Sequence, residues 1–362
     1  MKKVSVIVPF YNAERYIEDC ITMLLKQSLD NYEIILINDG STDRSLQICE
    51  KYIADDRIKL INKSNTGAWD TRNVGIEHSN SEYIMFVDCD DRVGSEWLEK
   101  MYKSITSDKV DLVISGQFDW IVTPGEKNQY RKVIVKEEYF PDKTTFLNNI
   151  VKLRKMGIGD VLWNKIYRAD IIKKNKIRFN NIRRGEDVHF NLDYYNYVNK
   201  CRVVELYEYL YKVESDNLPW KKYGENYYGL VEDEYSFVRS KLSRWNVLNE
   251  TSLQFQAKHL IYGLFDHIRG LILDKKQSRK LILDFIHEVI EREYCQEALE
   301  NYNSDFSLVS LFVYFLKKRK LTLALNIMYL QIVGAWTKES IRKISIRDYM
   351  KNRRYNKQLE SI

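Results

Sequence analysis

Tyr83-Ile84-Met85-Phe86-Val87-Asp88-Cys89-Asp90-Asp91 decides the reading of this chain. Five apolar residues have the length of a buried strand, and they run directly into a cluster of carboxylates. Asp88 and Asp90 stand two apart at the strand end, so their side chains point to one side. Two carboxylates that close repel unless a cation lies between them. A hard divalent cation, Mn2+ or Mg2+, takes oxygen ligands of this kind and bridges to phosphate. The competing reading is a solvated acidic turn capping the helix that starts near Ser95.

Working outward, Val4-Ser5-Val6-Ile7-Val8 is a β-branched run closed by Pro9, and Tyr32 to Ile37 is a second strand. Arg57 to Ile61 and Val110 to Ser115 make two more. Between them, Glu14 to Lys26 carries apolar residues at helical spacing, and Thr66-Gly67 opens a helix through about His78. Strands alternating with helices predict an α/β fold with a mostly parallel sheet and helices on both faces. Ligands of such sheets bind beyond the C-terminal strand ends. Pro9-Phe10-Tyr11-Asn12, Asn38-Asp39-Gly40 and the acidic run all follow strands, so one rim is expected to gather them.

Several residues near that rim carry two readings. Asp39 can accept a nucleobase N–H or cap the helix beginning near Thr42. Gly67 permits close backbone approach and Arg72 can reach a phosphate, or the segment is an ordinary amphipathic helix. Gly185-Glu186-Asp187 opens a helix, where carboxylates are favoured by the macrodipole or serve as a general base. His189 is a further candidate base or ligand, against a structural role.

Residues 120–139 read as irregular with a hairpin turn at Pro124-Gly125, 142–200 as helical, and 201–213 as short strands. Beyond Pro219 no proline follows and long charged-apolar helical patterns run on. The boundary places a nucleotide-binding domain at 1–220 and a helical domain at 221–362. A length of 362 residues suits two domains, and 44% hydrophobic residues exclude a largely disordered chain. Five scattered cysteines, an odd number, argue against a disulfide framework and a zinc site. The opening apolar stretch is too short for a signal peptide, so a cytoplasmic location is expected.

The net charge of +6 is uneven: Phe306 to Ile362 carries 12 Lys/Arg and 3 Asp/Glu, leaving the first 305 residues at −3. Phe306 to Leu316 and Leu321 to Trp336 are apolar blocks split by Lys317-Lys318-Arg319-Lys320. Neither reaches the ~20 residues of a spanning helix. Residues 306–362 therefore suit peripheral contact with the inner face of an anionic membrane, or a bundle with a basic face. Tyr314, Tyr329 and Trp336 sit among aliphatics, so no nucleic-acid partner is expected.

With these residues in hand, the chain resembles the family-2 inverting glycosyltransferases of the GT-A fold, of the bacterial surface-polysaccharide type. The resemblance covers about residues 1–215. Val4 through Pro9, Tyr11 and Asn12 resemble the family's opening strand and nucleotide loop. Ile37-Asn38-Asp39-Gly40-Ser41-Thr42-Asp43 resembles the motif whose Asp contacts the base. Asn65-Thr66-Gly67 through Arg72-Asn73 is similar to the third motif, with Trp69-Asp70-Thr71 replacing its usual small residues. Asp88-Cys89-Asp90 matches the metal-binding DxD, Trp163-Asn164-Lys165-Ile166-Tyr167 resembles a segment lining the acceptor side, and Gly185-Glu186-Asp187 matches the motif in which Asp is the base.

The resemblance implies a hexosyltransferase using a UDP-sugar donor, with hexose or N-acetylhexosamine transferred to a glycan or lipid-linked acceptor. Asp187 is the implied base, and Asp88 and Asp90 hold the metal. Pro9, Tyr11, Asn12, Asp39, Gly67, Arg72, Asp88, Trp163, Lys165 and Glu186 bind substrate. An oligomer is compatible with this reading. A sugar nucleotidyltransferase is disfavoured because Phe10-Tyr11-Asn12-Ala13 stands where such enzymes carry a Gly-rich basic loop. The intact acidic run disfavours a catalytically silent binding protein.

Overall fold

The computed structural model describes residues 2–334, apart from Asp108, Pro124, 215–217, 275–276 and 304–306. The chain divides into two compact units, one of 1–218 with 236–248, the other of 219–235 with 249–362.

The first unit is built on a sheet of eight strands in the order β3-β2-β1-β4-β10-β6-β11-β9. These are β1 (Val4–Phe10), β2 (Glu33–Asp39), β3 (Ile58–Lys63), β4 (Tyr83–Phe86), β6 (Leu112–Ser115), β9 (Glu138–Phe140), β10 (Lys165–Arg168) and β11 (Cys201–Val204). The other four, β5 (Arg92–Val93), β7 (Gln117–Val122), β8 (Gln129–Val133) and β12 (Tyr209–Glu214), form a second sheet ordered β5-β12-β7-β8.

Alternation along the central strands explains the layers. Val4, Val6 and Val8 join Ile34, Leu36 and Met85 in one core cluster with Ile17, Ile21 and Leu24 of helix α1 (Ile17–Leu25). A short α2 (Ser45–Glu50) adds Cys49 to the same side. On the other face, Ile7 and Ile37 meet α3 (Ala68–His78), which comes so close that a Cβ on Gly75 would lie 2.5 Å from Ile7 Cγ2. Each of these buried aliphatic side chains contributes roughly 1.5–3 kcal/mol.

Strands β3, β2, β1 and β4 are parallel, as the alternation predicts. The other half is mixed, because β10 lies antiparallel between β4 and β6. β10 falls within the segment read as helical. Its four residues are too short to show a period, and its strand conformation comes from the two edges it fills. Residues 117–133, read as irregular from Trp120, form the β7–β8 hairpin. Gly125 of its turn has φ +77°, while Pro124 lies outside the described residues. Helices α4 (Trp97–Ser107), α5 (Lys143–Asn148), α6 (Ile150–Lys155), α7 (Ala169–Lys174) and α8 (Glu186–Tyr195) complete the unit. All five cysteines are unpaired.

The second unit is helical: α9 (Pro219–Tyr223), the first part of α10 (Tyr227–Arg244), α11 (Glu250–Leu273), α12 (Arg279–Ile290), α13 (Glu293–Asn301), α14 (Leu308–Lys317) and α15 (Leu321–Gly334). Its core includes Val231, Leu264, Ile286, Phe312, Leu316 and Met328. The two apolar blocks of the tail are thus bundle helices with one buried face. Trp336 and the basic residues from 335 onward lie outside the described residues.

Candidate active site

The parallel strands deliver their ends to one rim, and hydrogen bonds knit the loops there. Asn12, in the left-handed region at φ +49°, donates its amide to Ser41 Oγ (2.9 Å) and accepts the Thr42 amide on Oδ1 (2.8 Å). Tyr11 beside it is half exposed, and Pro9 is still paired with Ile37 inside β1.

Asp39 ends β2 and is 4% exposed. Oδ1 accepts Lys63 Nζ (2.7 Å) and the Thr66 amide (3.0 Å); Oδ2 accepts the Gly67 amide (2.9 Å). Burial opposes ionisation here, but the Lys63 ammonium and the two amides hold the carboxyl below its ordinary range. Lys63 also lies 3.1 Å from Asp70. The Asp70 that departs from the family pattern therefore completes an Asp39–Lys63–Asp70 cluster. Gly67 has φ +102°, strained for any other residue, and begins α3. Asp39 thus fixes the loop that starts the helix bearing Arg72.

The acidic run splits by function. Asp91 is 4% exposed and accepts Tyr209 OH and the Lys212 amide, both at 2.7 Å. Burial and Asp88 push its carboxyl well above the ordinary range. Tyr209 is itself stacked on Trp163, with centroids 4.5 Å apart and planes 12° apart. Asp91 is the anchor of the run, held by β12 of the second sheet. Asp88 is turned toward Arg72, whose Nη2 lies 3.2 Å from its Oδ1. Burial, then Asp88, raise the Asp90 carboxyl.

Gly185, at φ +77°, turns the chain into α8 so that Glu186 and Asp187 occupy its first turn. Arg72 Nη1 donates to Glu186 Oε1 (2.7 Å) and lies 3.8 Å from Asp187 Oδ1. That Oδ1 is enclosed without a hydrogen-bond partner, although 32% of the side chain remains accessible. Burial raises the Asp187 carboxyl to about 7 against the pull of Arg72. One guanidinium, packed 5.6 Å above the Phe179 ring, thus joins the DxD carboxylate to the Glu186-Asp187 pair.

Three expectations change. Arg72, read as reaching a phosphate, is buried and bonded to carboxylates, because α3 turns it inward beside buried Thr71 and Asn73. Lys165, read as lining the acceptor, is fully buried: its ammonium donates to the carbonyls of Ile158 and Val161 and to Asn164 Oδ1. Burial lowers it to about 7. Trp163, 3% exposed, supports the rim from beneath through its stack with Tyr209 and Tyr211. His189, read as a candidate base or a structural residue, stacks on Phe237 with centroids 3.5 Å apart.

Sequence reasoning missed Asn73, whose amide group exchanges two 2.9 Å hydrogen bonds with the Phe179 backbone and ties α3 to the approach to α8. It also missed Tyr209, Lys63 and the division of labour within the acidic run. Among the described residues, no group of three or more His, Cys, Asp or Glu side chains is placed to hold a metal ion. Asp88 and Asp90 remain a fitting pair of hard oxygen donors, since the repulsion that raises Asp90 is what a cation relieves.

A mixed sheet with an acidic run at its C-terminal rim is the GT-A architecture. A family model described as "Glycosyl transferase family 2" matches residues 5–174. The putative glycosyltransferase EpsH of Bacillus subtilis is 30% identical over 243 residues, 65% of this chain and 69% of that protein. Glycosyltransferase GlyA of Streptococcus pneumoniae is 29% identical over 222 residues, 60% of this chain but only 31% of that protein. Staphylococcus aureus TarS, a poly(ribitol-phosphate) β-N-acetylglucosaminyltransferase, is 28% identical over 310 residues, 81% of this chain and 50% of that protein. The crystal structure of TarS 1–349 with UDP-GlcNAc superposes with a TM-score of 0.60 at 22% identity, covering 92% of each chain. This chain belongs to glycosyl transferase family 2.

Proposed function

We propose that the chain is an inverting glycosyltransferase that moves a hexose or N-acetylhexosamine from a UDP-sugar to an acceptor hydroxyl. The acceptor is a glycan or lipid-linked intermediate of surface-polymer synthesis, a reading supported by the poly(ribitol-phosphate) specificity that the name of TarS records. One observation carries the proposal: a carboxyl poised near neutrality, Asp187, is wired through Arg72 to the DxD carboxylate Asp88.

Asp187 takes the proton from the acceptor hydroxyl as that oxygen attacks the anomeric carbon, and the nucleoside diphosphate departs from the opposite face. Glu186 holds Arg72 in place, and Arg72 keeps Asp187 and Asp88 in register. Tyr11, Asn12, Asp39 and Gly67 shape the nucleotide side of the rim. Asp90 and Asp88 are the residues that would hold Mn2+ or Mg2+, and the ion would supply positive charge to the leaving diphosphate.

UDP-GlcNAc at a hundred times its Kd, with manganese present, is expected to raise the melting temperature by roughly 5–10 °C. EDTA and Asp90→Asn should each remove most of that rise. A shift indifferent to both defeats the metal assignment, and no shift with any uridine nucleotide defeats the donor assignment.

No helix among the described residues is long and apolar enough to cross a membrane. A peripheral contact is supported by α14, where Leu308, Leu311 and Tyr314 are 47%, 39% and 54% exposed on one face beside the basic turn Lys317–Lys320. Vesicles containing phosphatidylglycerol are expected to sediment the full chain, and phosphatidylcholine vesicles to leave it in solution. The triple variant K317E/K318E/K320E should weaken that binding at least about tenfold, at ~1 kcal/mol per basic residue. Equal binding to both kinds of vesicle refutes the contact.

A further inference from the structure

Asp39 and Lys63 close β2 and β3 side by side, paired across the parallel strands. Gly40 lets the segment after β3 cross close by: its φ is +71°, and a Cβ there would lie 2.8 Å from the Asn65 amide nitrogen. Four acceptors surround Lys63 Nζ: Asp39 Oδ1 (2.7 Å), the Ser64 carbonyl (3.0 Å), Thr66 Oγ1 and Asp70 Oδ2 (3.1 Å). Just 15% of the lysine side chain is accessible. An ammonium carries three hydrogens. Lys63 therefore serves protein groups and has no hydrogen to spare for a phosphate or a base. Burial opposes its charge, but Asp39 and Asp70 hold the ammonium above its ordinary range.

The consequence falls on Asp39. An ionised carboxylate has about four acceptor positions and no donor. Lys63 and the Thr66 amide fill those of Oδ1, and the Gly67 amide takes one on Oδ2. One position on Oδ2 remains, and it accepts a single N–H. Uracil and guanine carry a ring N–H on the pairing edge of the base. Cytosine and adenine present a bare ring nitrogen there, itself an acceptor. A protonated Asp39 would lose the distinction, because its O–H could donate to that bare nitrogen. Selection thus requires a carboxyl that is 4% exposed to stay ionised and fixed, which calls for a counterion at its side. Lys63 is that counterion, and Asp70 steadies it from the first turn of α3.

We propose that Lys63 is a positioning residue for base selection: it holds Asp39 as an acceptor-only carboxylate, so the rim takes nucleotides whose base carries a ring N–H and rejects cytidine and adenosine nucleotides. The inference rests on the nucleotide role proposed for Asp39. Calorimetric titration of the full chain with UDP and with CDP, manganese present, reads the ratio of the two Kd values. In the parent, CDP is expected to bind at least about tenfold more weakly, the worth of one hydrogen bond to a charged group. In Lys63→Met the ratio should fall to about twofold or less. Lys63→Gln keeps a neutral N–H beside Asp39 and should lie between the two; as the milder change, it also serves if the Met variant fails to fold. A lysine that merely braces the loop would weaken UDP and CDP alike on removal and leave their ratio where it was. That result in either folded variant overturns the proposal, as does a parent that binds UDP and CDP equally. Failure of the parent to bind UDP at all would overturn the donor assignment with it, whereas UDP binding at an unmoved ratio overturns the role of Lys63 alone.

Discussion

Asp187→Asn is expected to lower transfer by about a thousandfold while binding of the proposed UDP-sugar donor survives, because a general base supplies roughly 10²–10⁴ of rate. The amide keeps the shape of the side chain and its place in the first turn of α8, but it cannot take a proton. In the unsubstituted protein, kcat/KM should fall tenfold per pH unit below about 7, where Asp187 becomes protonated. The same residue carries a stability signature. Its folded carboxyl sits at about 7 against 3.8 unfolded, so its contribution is fully present below 3.8 and is lost as pH rises through about 7. Asp187→Asn escapes that loss, so its melting temperature at pH 8 should equal or exceed that of the parent. A lower melting temperature at pH 8, or lost donor binding, would make the activity defect structural and remove Asp187 from the base role.

Arg72→Met is expected to cost about 3 kcal/mol of stability and most of the activity. Removing one partner of a buried ion pair leaves the others uncompensated, at roughly 3–5 kcal/mol. The lower end applies because Asp88, Glu186 and Asp187 keep 34%, 25% and 32% of their side chains accessible. Denaturant unfolding of the variant measures the loss. Adding Glu186→Gln to Arg72→Met should restore part of it, since one of the stranded charges is gone. Strict additivity of the two substitutions would show that the 2.7 Å contact carries no coupling.

The parallel half of the sheet was legible because β1, β2 and β4 are apolar runs of strand length that end in polar turns. Placing Asp39 and Asp88 on one rim followed from that alternation alone. What stayed hidden depends on contacts between distant residues. Asp91 meets Tyr209 across 118 positions, and Arg72 meets Glu186 across 114. No local pattern distinguishes Asp91, an anchor, from Asp90, a candidate metal donor. Lys165 misleads for a different reason. A lysine in a polar segment reads as exposed, yet three acceptors within seven residues of it absorb its ammonium in the core.

The antiparallel insertion of β10 has a consequence for synthesis. While the nascent chain leaves the ribosome, β4 and β6 are made early but cannot be joined until Lys165–Arg168 has emerged to fill the gap between them. Tyr209, which tethers the acidic turn, arrives later still. The matched family segment stops at residue 174, before either Asp187 or Tyr209. A truncation at that point yields a polypeptide with its nucleotide-loop and DxD motifs present, its Glu186-Asp187 motif missing and its DxD turn untethered, a poor starting point for a minimal enzyme.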